Sequence, residues 1–475
     1  VRKGIAGMTA EDSRGAEGTG RPGTGRTRRA PWATAGLVFL TAVVQPAAGQ
    51  TPEVFTAGEA RPVTLEEAVD VASRNSPLLQ QARANLRSSE AGATGSLSGF
   101  LPSIDFGYGF SESQTGRLDD TGQSITTRSF TSRLRGNLTL FDGLRNYNEL
   151  KASRTEVRAE RATVEERRFD AILAAKTAFF NAVAARERVD VEAARVERQV
   201  EQLEFTRMLL LQGRATRSDT LRARVDLNDA RLALLEAQND TRSAEFALAE
   251  AMGVEERVAP APEATLRVDT LRWNRDELMR IAVGRSPSVI SAERRVDAAN
   301  ASVASSRSTF FPSLSVNGGW DWRNSDFPPA NRSWSIAFSG NLPVFNGLQR
   351  ESGVFRAQAQ VDLSQAQRRS AELSVRTEVQ DAYNQIETAR AGLSLAEESV
   401  EAAREDLRVT QQRFREGVAT SLDLRSAQIE LSSAEVDVIR RRFDHEVGIA
   451  QLERLLGMSL AELERGDLER GEIEP

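Results

Sequence analysis

The sequence repeats itself. Ser76-Pro77 recurs as Ser286-Pro287, and Phe100-Leu101-Pro102-Ser103-Ile104 as Phe310-Phe311-Pro312-Ser313-Leu314, both 210 residues apart. Further along the spacing becomes 204. Phe141-Asp142-Gly143-Leu144 matches Phe345-Asn346-Gly347-Leu348, and Ala178-Phe179 matches Ala382-Tyr383. Gly213, Ala215-Thr216 and Asp219 match Gly417, Ala419-Thr420 and Asp423, and Gly253 matches Gly457. The six-residue change falls between Pro102 and Phe141, so one loop is shorter in the second repeat. A chain of 475 residues would otherwise allow two or three domains. The duplication instead predicts one unit of about 200 residues used twice.

Each repeat reads as helix, two strands, long helix, shorter helix. Repeat 1 spans 64–258, with strands over 102–112 and 128–140 and helices over 143–212 and 218–252. Repeat 2 spans 275–460, with strands over 312–323 and 332–343 and helices over 347–416 and 421–456. An extended segment at 50–63, a linker at 259–274 and a charged tail at 461–475 complete the chain. One helix precedes each strand pair, over Leu65–Phe100 and Asp276–Phe311. Pro102 and Pro312 end it, because proline disfavours helical backbone in the residue before it.

The strands alternate with period two. Ile104, Phe106, Tyr108 and Phe110 share one face, with Ser103, Asp105, Gly107 and Ser111 opposite. The return strand sets Phe130, Leu134, Leu138 and Leu140 against Thr131, Arg133, Arg135, Asn137 and Thr139. The second repeat sets Leu314, Val316, Trp320, Trp322, Trp334, Ile336, Phe338 and Leu342 against Ser315, Asn317, Asp321, Ser333, Ser335 and Asn341. This is a sheet with one wet face. A soluble sandwich would share the pattern. Two features favour a membrane: the strands have the length of tilted membrane strands, about 10–12 residues, and Trp320, Trp322 and Trp334 lie near the loop, where a lipid-facing girdle would sit. Four strands cannot close a membrane barrel, which takes about eight. The barrel must be shared between chains. Two chains would give eight strands and three would give twelve.

The helices add a length constraint. Gly143 to Gln212 and Gly347 to Glu416 run without proline, and at about 1.5 Å per residue each spans ~100 Å. Two short helices match one long one, as if stacked end to end beside it. Sevens are explicit at Val189, Val196, Leu203, Leu210 and at Ile386, Leu393, Val400, Leu407, Phe414. That spacing imposes a left-handed supercoil.

Composition removes most enzyme chemistry. There is no Cys, which excludes disulfides, thiolate metal sites, a thiol nucleophile and a lipid-modified cysteine. The single His445 excludes His-rich metal sites, and none of the three Lys follows a phosphate-binding loop. No cofactor or metal is expected. Residues 1–49 carry seven basic and three acidic side chains, so the rest of the chain is acidic, which argues against nucleic acid as a partner. Arg26, Arg28 and Arg29 precede an apolar stretch from Trp32 to Val44 and then small residues, the pattern of a signal peptide cleaved near Gly49/Gln50.

Leu-Pro-Ser at 101–103, Phe-Pro-Ser at 311–313, the Phe-Asp/Asn-Gly-Leu corners and the Gly-x-Ala-Thr turns together resemble the TolC-type outer-membrane efflux family, over about residues 60–460. The resemblance implies a mainly α fold: a TolC-like long α-helical barrel plus four β-strands per chain, in two tandem structural repeats. Three chains would share a twelve-stranded membrane β-barrel. Residues 254–273 would belt the helical barrel. The implied function is the exit duct of a tripartite efflux pump or type I secretion system, without catalysis. The implied partners are two further copies of itself, a periplasmic adaptor (membrane fusion) protein, an inner-membrane RND, ABC or MFS transporter, and outer-membrane lipid. The implied location is the outer membrane of a Gram-negative bacterium, with a long periplasmic extension and no lipid anchor. A secreted coiled-coil structural or adhesion protein without a pore is the alternative.

Site residues follow from the same comparison. Gly213, Arg214, Ala215 and Thr216, with Gly417, Val418, Ala419 and Thr420, would form periplasmic tips that dock the adaptor, or serve only as hairpin turns. Asp423, with Asp219 as its counterpart, stands where the family places a gate carboxylate; a helix-start acid favoured by the dipole is the other reading. Ser426 replaces the second gate carboxylate, and Phe414 and Ala419 replace latch residues, so any latch must differ. At the strand-to-helix corners, Phe141, Asp142 and Gly143 and their counterparts Phe345, Asn346 and Gly347 combine a helix cap with a sharp bend.

Overall fold

The computed structural model describes residues 60–118, 124–266, 268 and 271–470. The assigned signal peptide and residues 50–59 lie outside the described residues. The first repeat runs β1 (Arg61–Val63), α1 (Leu65–Asn75), α2 (Pro77–Gly95), a 3-10 turn (Ser96–Phe100), β2 (Ser103–Leu118), β3 (Ser124–Phe141), α3 (Arg145–Leu211) and α4 (Arg217–Met252). After β4 (Val258–Pro260), the second runs α5 (Arg275–Arg285), α6 (Pro287–Ser308), β5 (Ser313–Asn324), β6 (Asn331–Asn341), α7 (Gln349–Arg415) and α8 (Ser421–Leu456). A last helix, α9, covers Leu460–Arg470.

The helix ahead of each strand pair is two helices rather than one. Ser76 (φ −50°, ψ 128°) and Ser286 (φ −54°, ψ 127°) leave the helical region, as residues before proline do. Pro77 and Pro287 then open the next helix, where a missing N–H leaves no bond unmade. Both long helices have 67 residues, about 100 Å. They start two residues after the corner glycine, because Gly143 and Leu144 (φ 70° and 66°), and Gly347 and Leu348 (φ 67° and 66°), are left-handed. The charged tail is helical from its start, since Leu463 buries itself among Trp273, Leu455 and Leu456. Among the described residues no helix is long and apolar enough to cross a membrane.

The four long strands form one antiparallel sheet in the order β2-β3-β5-β6. Strand β3 pairs with β5, so the sheet joins the repeats, and β2 and β6 are its edges. Register aligns Phe106, Leu134, Trp320 and Trp334 in one row across four strands. On the opposite face Arg133 reaches Asp321 at 3.3 Å.

Packing is richest half-way along the long helices. One cluster gathers Val63, Phe179, Phe180, Leu248, Met252 and Val258; its second-repeat counterpart gathers Trp273, Leu278, Val379, Ile386, Leu452 and Leu456. Parallel pairing of β1 with β4, from Arg61↔Val258 to Val63↔Pro260, ties the start of repeat 1 to the linker at this level. Nearer the tips the helices bury alanine at sevens: Ala223, Ala230, Ala237 and Ala244 on α4, and Ala382, Ala389, Ala396 and Ala403 on α7. Small side chains at that period let long helices lie close along their whole length.

Candidate functional site

The two tips are closed by the same backbone logic. The α3–α4 turn has Gly213 at φ 69°, with the N–H groups of Arg214 and Ala215 donating to the Leu209 carbonyl at 2.9 and 3.3 Å. The α7–α8 turn has Gly417 at φ 79°, with Val418 and Ala419 donating to the Arg413 carbonyl at 2.8 and 3.2 Å. Left-handed backbone is what glycine supplies at a helix end. A Cβ at either glycine would meet nothing within 4 Å, so both point into open space. Arg214, Thr216, Val418 and Thr420 are exposed, and Ala215 and Ala419 are half-buried.

Asp219 and Asp423 form capping boxes. The Thr216 N–H and hydroxyl donate to Asp219 Oδ2 at 2.9 and 2.7 Å, and the Asp219 N–H donates to Thr216 Oγ1 at 3.2 Å. Thr420 and Asp423 repeat this at 2.8, 2.8 and 3.2 Å. Hydrogen bonds from Thr216 hold the Asp219 carboxyl below the usual carboxylate range, and those from Thr420 do the same for Asp423. Each capping box satisfies free N–H groups at its helix start. A groove of about 790 Å³ separates the two tips and is lined by Thr206, Arg214, Asp219, Arg222, Phe414 and Thr420, among others. Asp423 is exposed on the first turn of α8.

Links between the two hairpins lie just above the tips, and no repeat signal announces them. Gln199 Nε2 donates to Gln428 Oε1 at 2.8 Å in a buried contact, and Arg198 donates to Ser432 Oγ at 3.1 Å. Arg425 pairs with Asp226 at 3.2 Å. Half-way up, Lys176 pairs with Glu453, whose other oxygen accepts from the Leu460 N–H at 3.1 Å.

The corners differ in detail. At the first, Asp142 Oδ2 accepts from the Asn146 N–H at 2.9 Å, while Asn146 Nδ2 donates to the Gly99 carbonyl at 2.6 Å. At the second, Arg350 donates to the Pro343 and Val344 carbonyls at 2.6 and 3.1 Å and lies 4.8 Å above the Phe310 ring. The Oδ1 of Asn346 is buried without a hydrogen bond, so the cap expected there is not made through that atom. Phe141 and Phe345 are both exposed, 42% and 78%.

Residues 68–254 and 278–458, most of both repeats, match the family model described as outer membrane efflux protein. The chain belongs to that family. It is 23% identical over 402 residues to the outer membrane efflux protein BepC of Brucella suis, covering 84% of this chain and 85% of the relative. It is 30% identical over 178 residues to the solvent efflux pump outer membrane protein SrpC of Pseudomonas putida, covering 36% of this chain and 37% of that one. The crystal structure of CusC shares the fold, with a TM-score of 0.71 at 18% identity, covering 86% of this chain and 96% of that one.

For an outer membrane efflux protein, the exposed side of the sheet acquires a meaning. Ile104, Phe106, Trp334, Ile336 and Phe338 are 62–72% exposed. Register puts Trp320, Trp322 and Trp334 on this same face, with Trp320 directly opposite Trp334. A contiguous apolar face of this kind needs an apolar surrounding.

Proposed function

We propose that the chain is a non-catalytic exit duct: a homotrimer whose sheets close a membrane barrel and whose long helices carry the passage into the periplasm. The observation that carries this reading is the family match across both repeats, set on an open-edged sheet that continues directly into two ~100 Å helices. The apolar face meets outer-membrane lipid, with Trp320, Trp322 and Trp334 as its girdle. The exposed tips receive a periplasmic adaptor that couples the duct to an RND, ABC or MFS transporter. Asp423 and Asp219, repeated around a trimer, place carboxylates at the narrow end and attract cations.

Reconstitution into a planar bilayer tests the duct. Detergent-extracted trimers should conduct and be blocked by multivalent cations from the periplasmic side. Asp423→Ala should weaken that block at least several-fold. Unchanged block would sink the gate role, and a protein extracted without detergent that opens no pore would sink the duct.

A further inference from the structure

On the apolar face of the sheet one row of side chains is interrupted. Register sets Ile104 opposite Gly136, Gly136 opposite Gly318, and Gly318 opposite Ile336. The rows on either side are filled: Leu134 faces Trp320 toward the loops, and Leu138 faces Val316 toward the helices. The two central strands therefore lose their side chains at adjacent positions. The result is a hollow of about 350 Å³, walled by Leu134, Trp320, Leu138, Val316, Ile104 and Ile336. It is two strands wide, about 10 Å.

Nothing in the fold requires glycine at either place. Neither residue is among the glycines with left-handed backbone. A Cβ at Gly136 would meet only the Ser103 and Gly318 carbonyl oxygens, at 3.8 and 3.9 Å. One at Gly318 would meet Ile336 Cγ1 and the Ser335 carbonyl oxygen, both at 3.6 Å. These are ordinary contacts, and no aromatic ring comes within 4 Å of either position to stand in for the missing side chain. Glycine inside a strand weakens it and marks a place where something approaches the backbone closely. Duplication does not account for the pair either. The counterpart of Gly136 is Gly340, but that of Gly318 is Tyr108. Gly340 faces Leu314 and Tyr108 faces Ser132, so neither hairpin forms such a pair by itself.

The surroundings define the occupant. Strands β3 and β5 have a partner on both sides, so their N–H and C=O groups are engaged within the sheet. The wall side chains are apolar, and a polar group entering the hollow would find nothing to bond. Toward the loops the same face turns basic. Arg332 stands opposite Trp322 and is exposed. It lies four residues along β6 from Ile336, about 14 Å. Further out, Arg128 is already held by Glu112 at 3.0 Å.

We infer that the hollow holds one acyl chain of a phosphate-bearing lipid from the loop-side leaflet of the outer membrane, with Arg332 receiving the phosphate. The inference rests on the lipid-facing reading of this face in the proposed duct. A chain lying over Gly136 and Gly318 recovers the dispersion contacts that two missing side chains forfeit. Such close seating needs bare backbone, so a larger residue at either place excludes it. The guanidinium and phosphate add a charge-assisted bond at the wet end of the same lipid.

Native mass spectrometry of the full chain, titrated with dipalmitoyl phosphatidylglycerol in detergent micelles, tests the site. Wild type should retain one lipid per chain. Gly136→Leu and Gly318→Leu fill the hollow and should each weaken retention about tenfold. Gly318→Ala, whose methyl the sheet accommodates, should give an intermediate loss and covers the case of a leucine variant that fails to assemble. Gly340→Leu, on the same face but beside Leu314, should retain lipid like wild type. Arg332→Gln should weaken retention about threefold, and dipalmitoyl glycerol, which lacks the phosphate, should erase that difference. Equal retention by wild type and all variants at Gly136 and Gly318, or a retained polypeptide in place of lipid, overturns the site. Bilayer conductance of the same samples keeps the two readings apart. A conducting protein without selective retention loses the site and keeps the duct. A protein that opens no pore loses the duct, while the glycine variants still decide the site.

Discussion

Thr216 and Thr420 show how much one side chain settles at a helix start. Each receives a backbone N–H bond and returns one through the carboxylate three residues on. Thr216→Ala or Thr420→Ala should cost about 1 kcal/mol of local stability, read as faster amide exchange over the first turns of α4 and α8. The carboxylates add a pH dependence. Because the folded-state pKa of Asp219 and Asp423 is lowered, their stabilisation is complete above the unfolded value of about 3.9 and is lost as pH falls through the folded one. Tip protection, corrected for intrinsic exchange, should therefore be flat from neutral pH down to about 4 and fall below it. In the sequence Asp219 and Asp423 are legible as helix-start acids, whereas the pairing of each with its threonine is seen only in the fold. Arg425–Asp226 and Gln199–Gln428 the sequence could not announce, because their counterparts in the other repeat are Leu221 with Glu430 and Ala403 with Arg224. A contact found in one repeat only leaves no periodic trace.

Elements were legible where the backbone itself dictates them. Period two marked the strands, proline-free length marked α3 and α7, and glycine marked the turns. Ser-Pro recurs in plain view, and the helical pattern on either side of it masks the break, although the residue before proline is the one pushed to extended backbone. Strands β1 and β4 are three residues each, too short for any period to register. Helix α9 was hidden by its charge, since its anchoring rests on Leu463. What fastens α9 also fastens the repeats. Lys176 and Glu453 are 18% and 13% exposed, and Glu453 holds the Leu460 N–H. Lys176→Ala leaves that carboxylate without its ion partner and should cost on the order of 2 kcal/mol. A lower urea midpoint with an unchanged slope, and earlier exchange in α9, would report it.

At the scale of the molecule, an outer-membrane efflux duct explains why the chain is poor in aromatics and places three of its five Trp on the strands. Trp320 and Trp334 are 51% and 70% exposed, whereas Trp273 is 7% exposed in the mid-helix core. In vesicles carrying brominated acyl chains, the strand tryptophans should be quenched strongly. Trp273, observed in a variant with the strand tryptophans changed to Phe, should be quenched weakly. Equal quenching of both sets would remove lipid from the apolar face.

Local physics is legible in the residues alone: which of them bend, cap, alternate and repeat. Those properties depend on neighbours along the chain, so one string of residues carries them. Which of two equivalent surfaces is covered follows from packing and not from the residues' own pattern. A Cβ at Gly143 would meet Phe311, while one at Gly347 would meet none of the described residues within 4 Å. Two repeats of one topology cannot both occupy the same position, and that asymmetry appears only once they are packed.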